Sequence, residues 1–407
     1  MDPVKTAAPR AASAKAETLT ESVIREMTRL ALAHDAINLA QGFPDFPAPD
    51  EVKRAACAAI EADVNQYPIT WGAAALREAL AEKYRRDYGL ELDPEREICV
   101  TCGATEAMAA TVIGLVDPGD EVVVFEPFYE NYGADAIIAG AVPRYVTLRE
   151  PDWTFDEAEL AAAFGDRTRA VILNNPSNPT GKVFSHAELA SIARLCERFG
   201  VIAISDEIYE HITYDGARHI PMATVPGLED RSVVISALSK TYSVTGWRVG
   251  WTIAPPGMTD AIRRVHDFLT VAAPAPLQQA GTAALRLPRS YYETLAADYA
   301  QRRELMMDIL WQAGLNPIRP SGAYYTMTDS SALGLGDDVT AARALVAEAR
   351  VAAVPGSSFY SRPELGATRL RFSFSKRPDT LREAGARLAA WAQTRRADQT
   401  RAASPRP

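Results

Sequence analysis

Short unbroken apolar runs alternate with stretches of helical period from about residue 50 to residue 285. Residues 121–125 (Glu-Val-Val-Val-Phe), 170–173 (Ala-Val-Ile-Leu) and 201–204 (Val-Ile-Ala-Ile) have no polar alternation. Such runs, too short for buried helices, mark strands covered on both faces of a parallel sheet. Residues 97–101 and 232–236 read the same way, and 249–254 as the next strand. Residues 51–63, 73–88, 106–115 and 185–199 carry helical spacing, and Gly200 supplies a C-terminal stop to the last. Alternation of this kind predicts an α/β fold whose mostly parallel sheet is wrapped by helices through right-handed crossovers.

The character changes after about residue 285. Residues 291–312 predict one long amphipathic helix, followed by shorter strands and by helices over 340–349 and 380–392. We read this as a second, smaller α+β domain. The division is then a leader (1–17), a segment packing with the small domain (18–49), a large domain (50–288), a small domain (289–393) and a flexible tail (394–407). The two ends are rich in Ala, Ser, Pro and Arg, a composition expected to stay disordered.

A chain of 407 residues suits two domains, and 47% hydrophobic with 23% charged residues is ordinary for a globular enzyme. The net charge of −9 is interleaved along the chain, with no basic stripe to hold nucleic acid. No run of about 18 apolar residues predicts a membrane span. Four scattered cysteines make no disulfide framework and fit a reducing, cytoplasmic compartment. Cys99 and Cys102 have C-x-x-C spacing, but no second pair exists and the five histidines are dispersed, so no metal site is expected.

Chemistry concentrates in four segments, each following or ending a strand, where ligands collect in open α/β sheets. They are Asn174-Asn-Pro-Ser-Asn178-Pro-Thr-Gly181, Ser205-Asp206-Glu-Ile-Tyr209, Ser239-Lys240-Thr-Tyr-Ser-Val-Thr-Gly-Trp-Arg248 and Arg369-Leu-Arg371-Phe-Ser-Phe374. Lys240 stands in a hydroxyl-rich turn rather than on a helix face. Asp206 closes an apolar strand, where a buried carboxylate needs a cationic partner. Asn178 is bracketed by prolines that can aim its amide. Gly103, Ala104 and Thr105 open a helix whose N–H groups can cradle an anion. Taken singly, each has a bland reading: a surface lysine, a helix cap, turn chemistry, a strand arginine. Together they supply what pyridoxal phosphate (PLP) chemistry requires: an amine for the aldehyde, a carboxylate for the ring nitrogen, donors for the ring hydroxyl, a phosphate cradle and an arginine fork for a carboxylate.

From about residue 20 to residue 391 the combined segments resemble class I aminotransferases of the type I PLP-dependent fold. Asn38-Leu-Ala-Gln-Gly-Phe-Pro-Asp-Phe-Pro47, Asn65-Gln-Tyr67, Glu126-Pro-Phe-Tyr129 and Tyr214-Asp-Gly216 are similar to the kynurenine aminotransferase/glutamine transaminase K branch. The resemblance implies that Lys240 carries the cofactor and moves the substrate proton, and that Asp206 pairs with the ring nitrogen. Tyr209 and Asn178 would bond the ring oxygen, and Tyr129 would stack on the ring. Gly103, Ala104, Thr105 and Arg248 would hold the phosphate, with Tyr67 reaching the phosphate of the neighbouring subunit of a homodimer. Arg371, with Asn178 and the Gly42 backbone, would bind the substrate carboxylate, and Asn174 would support the site from behind.

Two positions depart from the pattern. Ala237 stands where many relatives place a phosphate-binding serine, leaving Ser236 or Ser239 to substitute. Ile24 and Ala272 stand where the kynurenine branch often places tryptophan and histidine, which implies a roomier apolar side-chain pocket. Trp71 and Trp247 are read as packing residues. The implied activity is ping-pong transfer of an amino group from an L-amino acid, neutral or aromatic in side chain, to a 2-oxo acid. The same lysine would serve a PLP-dependent lyase, cyclase or oxidase. An aminotransferase-like sensor domain is disfavoured, because about 17 residues before the fold leave no room for a DNA-binding module.

Overall fold

The computed structural model describes residues 11–19 and 21–403, with side chains as far as Arg395. Its centre is a seven-stranded sheet made of β1 (Ile98–Thr101), β2 (Glu121–Glu126), β3 (Val142–Thr147), β4 (Thr168–Asn174), β5 (Ile202–Asp206), β6 (Ser232–Ala237) and β7 (Gly250–Ile253). The strand order is β1-β7-β6-β5-β4-β2-β3. All neighbours from β6 to β3 are parallel, and β7 alone runs against both of its neighbours. The apolar runs become strands because helices cover both faces, so every residue of β1, β2, β5, β6 and β7 is buried.

The reversal of β7 matters for the site. Parallel strands all end at one edge of the sheet, and an antiparallel strand begins there. Thr101 of β1 and Ala237 of β6 both pair with Gly250, the first residue of β7. Gly103, Asp206, Lys240 and Arg248 thus meet at a single edge, the first three following or closing strand ends and the last preceding a strand start. Gly250 itself must lack a side chain, since a Cβ there would lie 2.6 Å from the Gly103 carbonyl carbon.

A second, antiparallel sheet has the order β10-β11-β9-β8, with β8 (Asn316–Pro317), β9 (Tyr325–Asp329), β10 (Val354–Pro355) and β11 (Arg369–Ser373). Ile37–Asn38 pairs in parallel with Val351–Ala352. The long helix runs over Arg289–Gln312. The helix at 185–199 appears as His186–Phe199, with Ser185 and Glu188 forming a capping box and Gly200 in the left-handed conformation.

Three expectations need correction. Within the leader, Ala14–Thr18 is a short helix capped by Ser13, while residues 1–10 lie outside the described residues. The last helix is Pro378–Ala403, so most of the expected tail continues it: alanine and arginine are strong helix formers and no breaker intervenes before Ser404. Lys240 sits on a one-turn helix, Leu238–Thr241, rather than in an open turn. The helix is too short to show a period, which is why its sequence reads as a turn.

Candidate functional site

A cavity of about 480 Å³ opens at the carboxyl edge of the central sheet. Asp206, Tyr209, Lys240, Arg248, Tyr129, Asn178, Ala104, Thr105, Gly42 and Arg371 all line it. β5 delivers Asp206 at its last position, in register with Asn174 of β4. The Asn174 amide donates to the Asp206 carbonyl (2.8 Å), and its side-chain oxygen accepts from the Asn178 N–H (2.6 Å). One asparagine thereby ties the Asn-Pro loop to the strand that carries the carboxylate.

Asp206 is buried, and burial pushes its carboxyl up to about 6. Three groups pull the other way: the Tyr132 hydroxyl, donating to Oδ2 at 2.8 Å, the Ile208 N–H at 3.2 Å, and the Lys240 charge. Burial likewise pushes the Lys240 amine down to about 8; Asp206 opposes the shift, while the Arg371 and Arg248 charges add to it. The Nζ donates to the Gly42 carbonyl (2.9 Å), which also accepts from the Tyr324 hydroxyl (2.9 Å). Gly42 needs to be glycine, because a Cβ would fall 1.8 Å from the Tyr325 hydroxyl oxygen.

Arg371 comes from the second sheet, at the middle of β11, paired with Met327 and Val354. Its Nη1 donates to Asn178 Oδ1 (2.7 Å) and its Nη2 to the Ala40 carbonyl. The guanidinium lies over the Tyr325 ring (4.4 Å) and the Phe359 ring (5.0 Å). Burial lowers its pKa, yet a guanidinium keeps its charge, and its buried Nε has no partner. A desolvated cation with an unused donor is made for an incoming anion.

Gly103 caps the Ala104–Leu115 helix with φ 82°. A Cβ at Gly103 would stand 2.4 Å from Arg248 Nη2, so the guanidinium lies directly against the glycine. Arg248, itself at φ 56°, is held by the Thr245 carbonyl (3.0 Å) and the Cys102 carbonyl (3.3 Å). Helix N–H groups and a cation converge on one small volume, an arrangement able to take up an anion.

Other expected residues lie differently. Tyr67 is 82% exposed and does not line the cavity of this chain. Ala272 does not line it either, whereas Ile24 does. Of the two serines that could replace the hydroxyl missing at Ala237, Ser239 lines the cavity, and Ser236 turns toward Glu210 (3.5 Å). Four neighbours that line the cavity escaped the reading of the sequence. Tyr132 lies three residues after Tyr129, a spacing that could have pointed to it, and sits in the Asn131–Ala139 helix. Tyr325, whose hydroxyl meets that of Tyr209 at 3.1 Å, has only an adjacent tyrosine as signal. Arg25 and Glu130, which also line the cavity, have none.

The model of the family described as aminotransferase class I and II matches residues 34–388, and the chain belongs to this family. It is 38% identical over 401 residues to the kynurenine–oxoglutarate transaminase of Dictyostelium discoideum, covering 89% of this chain and 92% of that one. It is 37% identical to the methionine aminotransferase of Escherichia coli (strain K12), covering 92% and 97%. The solved structure of N-succinyldiaminopimelate aminotransferase from Mycobacterium tuberculosis superposes with a TM-score of 0.91 at 38% identity, over 94% of this chain and 100% of that one. The protein is therefore a PLP-dependent aminotransferase of the type I fold.

The residues present fit the cofactor. The Gly103 cradle that a Cβ would fill suits its phosphate, and the buried Asp206, with neutral donors on one side, calls for a cation such as a protonated ring nitrogen. Among the described residues no helix is long and apolar enough to cross a membrane.

Proposed function

We propose that this enzyme transfers the amino group of a neutral or aromatic L-amino acid to a 2-oxo acid in two successive half-reactions at one cavity. The observation that carries the reading is the convergence of Lys240, Asp206 and Arg371 there, an amine, a carboxylate and a guanidinium drawn from two sheets. Bound PLP supplies an electron sink that acidifies the substrate Cα–H.

Arg371 takes the α-carboxylate through its unpartnered Nε and a nitrogen now lent to Asn178 or Ala40, orienting the Cα proton toward Lys240. Lys240 Nζ, brought down to about 8 by burial, accepts that proton as the free amine and returns it at the cofactor carbon from which the lysine was displaced. Asp206 holds the ring nitrogen protonated, and Tyr132 and Ile208 orient its oxygens. Tyr209 and the Asn178 amide donate to the ring hydroxyl. Tyr129 covers the ring, and Gly103, Ala104, Thr105, Arg248 and Ser239 hold the phosphate. Gly42 lines the carboxylate end, with its carbonyl engaged by Lys240.

The active species in this reading is a homodimer in which Tyr67 reaches the partner's phosphate. Exposed Tyr67, Ile69, Phe268, Leu269 and Val271 support a buried interface there. Residues 50–288 form the large domain, 289–393 the small one, and 18–49 join the latter. Cytoplasmic residence is supported by four free cysteines.

The test is a panel of amino donors, including kynurenine, methionine and glutamine, against pyruvate and 2-oxoglutarate. Stoichiometric amino transfer that is abolished in Lys240→Ala supports the reading. A Lys240→Ala enzyme that transaminates at the parental rate refutes it.

A further inference from the structure

His266, on the Pro256–Thr270 helix, has no exposed side-chain surface and plays no part in the chemistry above. Its Nε2 lies 2.8 Å from the Thr70 carbonyl and its Nδ1 2.9 Å from Glu106 Oε1. A carbonyl can only accept, so Nε2 carries a hydrogen. With a single proton on the ring, Nδ1 would then point a lone pair at a carboxylate. The arrangement is satisfied when both nitrogens are protonated. Glu106 sits in the first turn of the helix that Gly103 caps, and its other oxygen accepts from the Cys102 N–H (2.8 Å). Thr70 belongs to the loop that carries Tyr67 and is pressed on β1 through Trp71, whose carbonyl accepts from the Val100 N–H (3.0 Å). One chain of charge-assisted hydrogen bonds therefore runs from this loop, through His266 and Glu106, to the turn against which Arg248 rests.

We propose that His266 is a positioning residue that, as an imidazolium, ties the 65–72 loop to the phosphate turn at 102–103 and loosens both when it loses its proton. The inference rests on the reading that this turn holds the cofactor phosphate. The groups facing the ring favour the charge. Glu106 comes from the Ala104–Leu115 helix and Asp267 from its own helix; the Thr270 hydroxyl, 3.2 Å from Nδ1, carries no charge and can accept from a protonated Nδ1 or donate to a bare one. The thiols of Cys99 and Cys102 are pushed up by burial and add no charge. Arg263, one turn back, is turned over the Trp71 ring at 4.9 Å and donates to the Ile98 carbonyl (2.6 Å). Burial disfavours the imidazolium, but the Glu106 hydrogen bond and charge, with the Thr70 carbonyl, leave the His266 pKa above the ordinary 6.5. A raised pKa of this kind lends its stabilisation at low pH and loses it as pH rises through the folded value. Cofactor retention would weaken on the alkaline side, independently of the proton transfer at Lys240.

The holoenzyme has five histidines, few enough for ring NMR assignment. The expected result is a His266 ring with two protons at pH 7. The PLP dissociation constant, followed by absorbance from pH 7 to 9, should rise about tenfold more in the parent than in His266→Gln, one charge-assisted hydrogen bond's worth. The variant should bind more weakly at pH 7 and show a flatter profile. A singly protonated ring at pH 7, or equal pH slopes in parent and variant, overturns the proposal; the NMR arm needs no variant. Arg248→Ala separates the two readings. If it weakens PLP binding while the His266→Gln slope matches the parent's, only the clamp fails. If it leaves the affinity unchanged, the phosphate reading falls and the clamp with it.

Discussion

Replacing Asp206 by asparagine in the cofactor-free protein separates what this carboxylate costs from what it does. Burial raises its pKa from the ordinary 3.8 to about 6. An acid with a raised folded pKa favours folding below its ordinary pKa, and that advantage disappears as pH rises through the folded value. The gap between 3.8 and about 6, at about 1.4 kcal/mol per decade, is worth about 3 kcal/mol. At pH 7 the ionised carboxylate therefore destabilises the cofactor-free fold by about that amount. The substituted amide would keep one acceptor oxygen for the Ile208 N–H, would present its NH2 to the Tyr132 hydroxyl, which can accept instead of donate, and would carry no charge. Cofactor-free Asp206→Asn should be up to about 3 kcal/mol more stable than the parent at pH 7, with the difference closing by about pH 4. Added PLP reverses the order, because a cationic ring nitrogen pairs with aspartate and not with asparagine. Denaturant unfolding of both proteins between pH 4 and 8, with and without PLP, measures this directly. A cofactor-free variant less stable than the parent at pH 7, or a pH-independent difference, would refute the reasoning.

Other perturbations probe other parts of the site. Arg371→Lys keeps the charge and loses the fork over Asn178, so kcat/KM should fall by about 10²-fold, mainly through KM, in steady-state kinetics. Gly103→Ala forces a Cβ to within 2.4 Å of Arg248 Nη2 at a φ of 82°, and PLP affinity by equilibrium dialysis should drop by about tenfold or more with the fold intact by circular dichroism. Behind the site, buried Lys83 and Glu210 pair at 2.7 Å, and against its burial Glu210 is held down to about 2, chiefly by the Lys83 charge; burial pushes the neighbouring His211 down to about 4, so it is neutral at pH 7. Lys83→Met leaves that carboxylate uncompensated and should destabilise the protein by about 3–5 kcal/mol, and adding Glu210→Gln should recover most of the loss in thermal unfolding.

The strands were legible because burial on both faces removes polar alternation, as in Val122-Val-Val124 and Ala203-Ile204. Helix ends were legible where caps are local chemistry, as at Ser185 and Gly200. The short helix under Lys240 was not, since four residues carry no period. Nor was the helical tail, whose composition suits a helix and a disordered segment alike. Tyr132 and Tyr325 could not be assigned from local pattern, because nothing in a tyrosine's sequence neighbourhood says whether its hydroxyl meets Asp206, Tyr209 or water.

The sequence by itself determined the inventory: a lysine, an aspartate, an asparagine loop, a glycine turn and two arginines, each in or beside a strand, and the period that builds those strands. Tertiary structure alone decided how they meet. The direction of β7 brings Arg248 to the Gly103 edge, and the second sheet carries Arg371 193 residues along the chain to Asn178. It also decided the charges, since Asp206 near 6 and Lys240 near 8 reflect burial by segments remote in sequence. Local pattern encodes which backbone a segment adopts, whereas desolvation and pairing depend on what the rest of the chain places beside it.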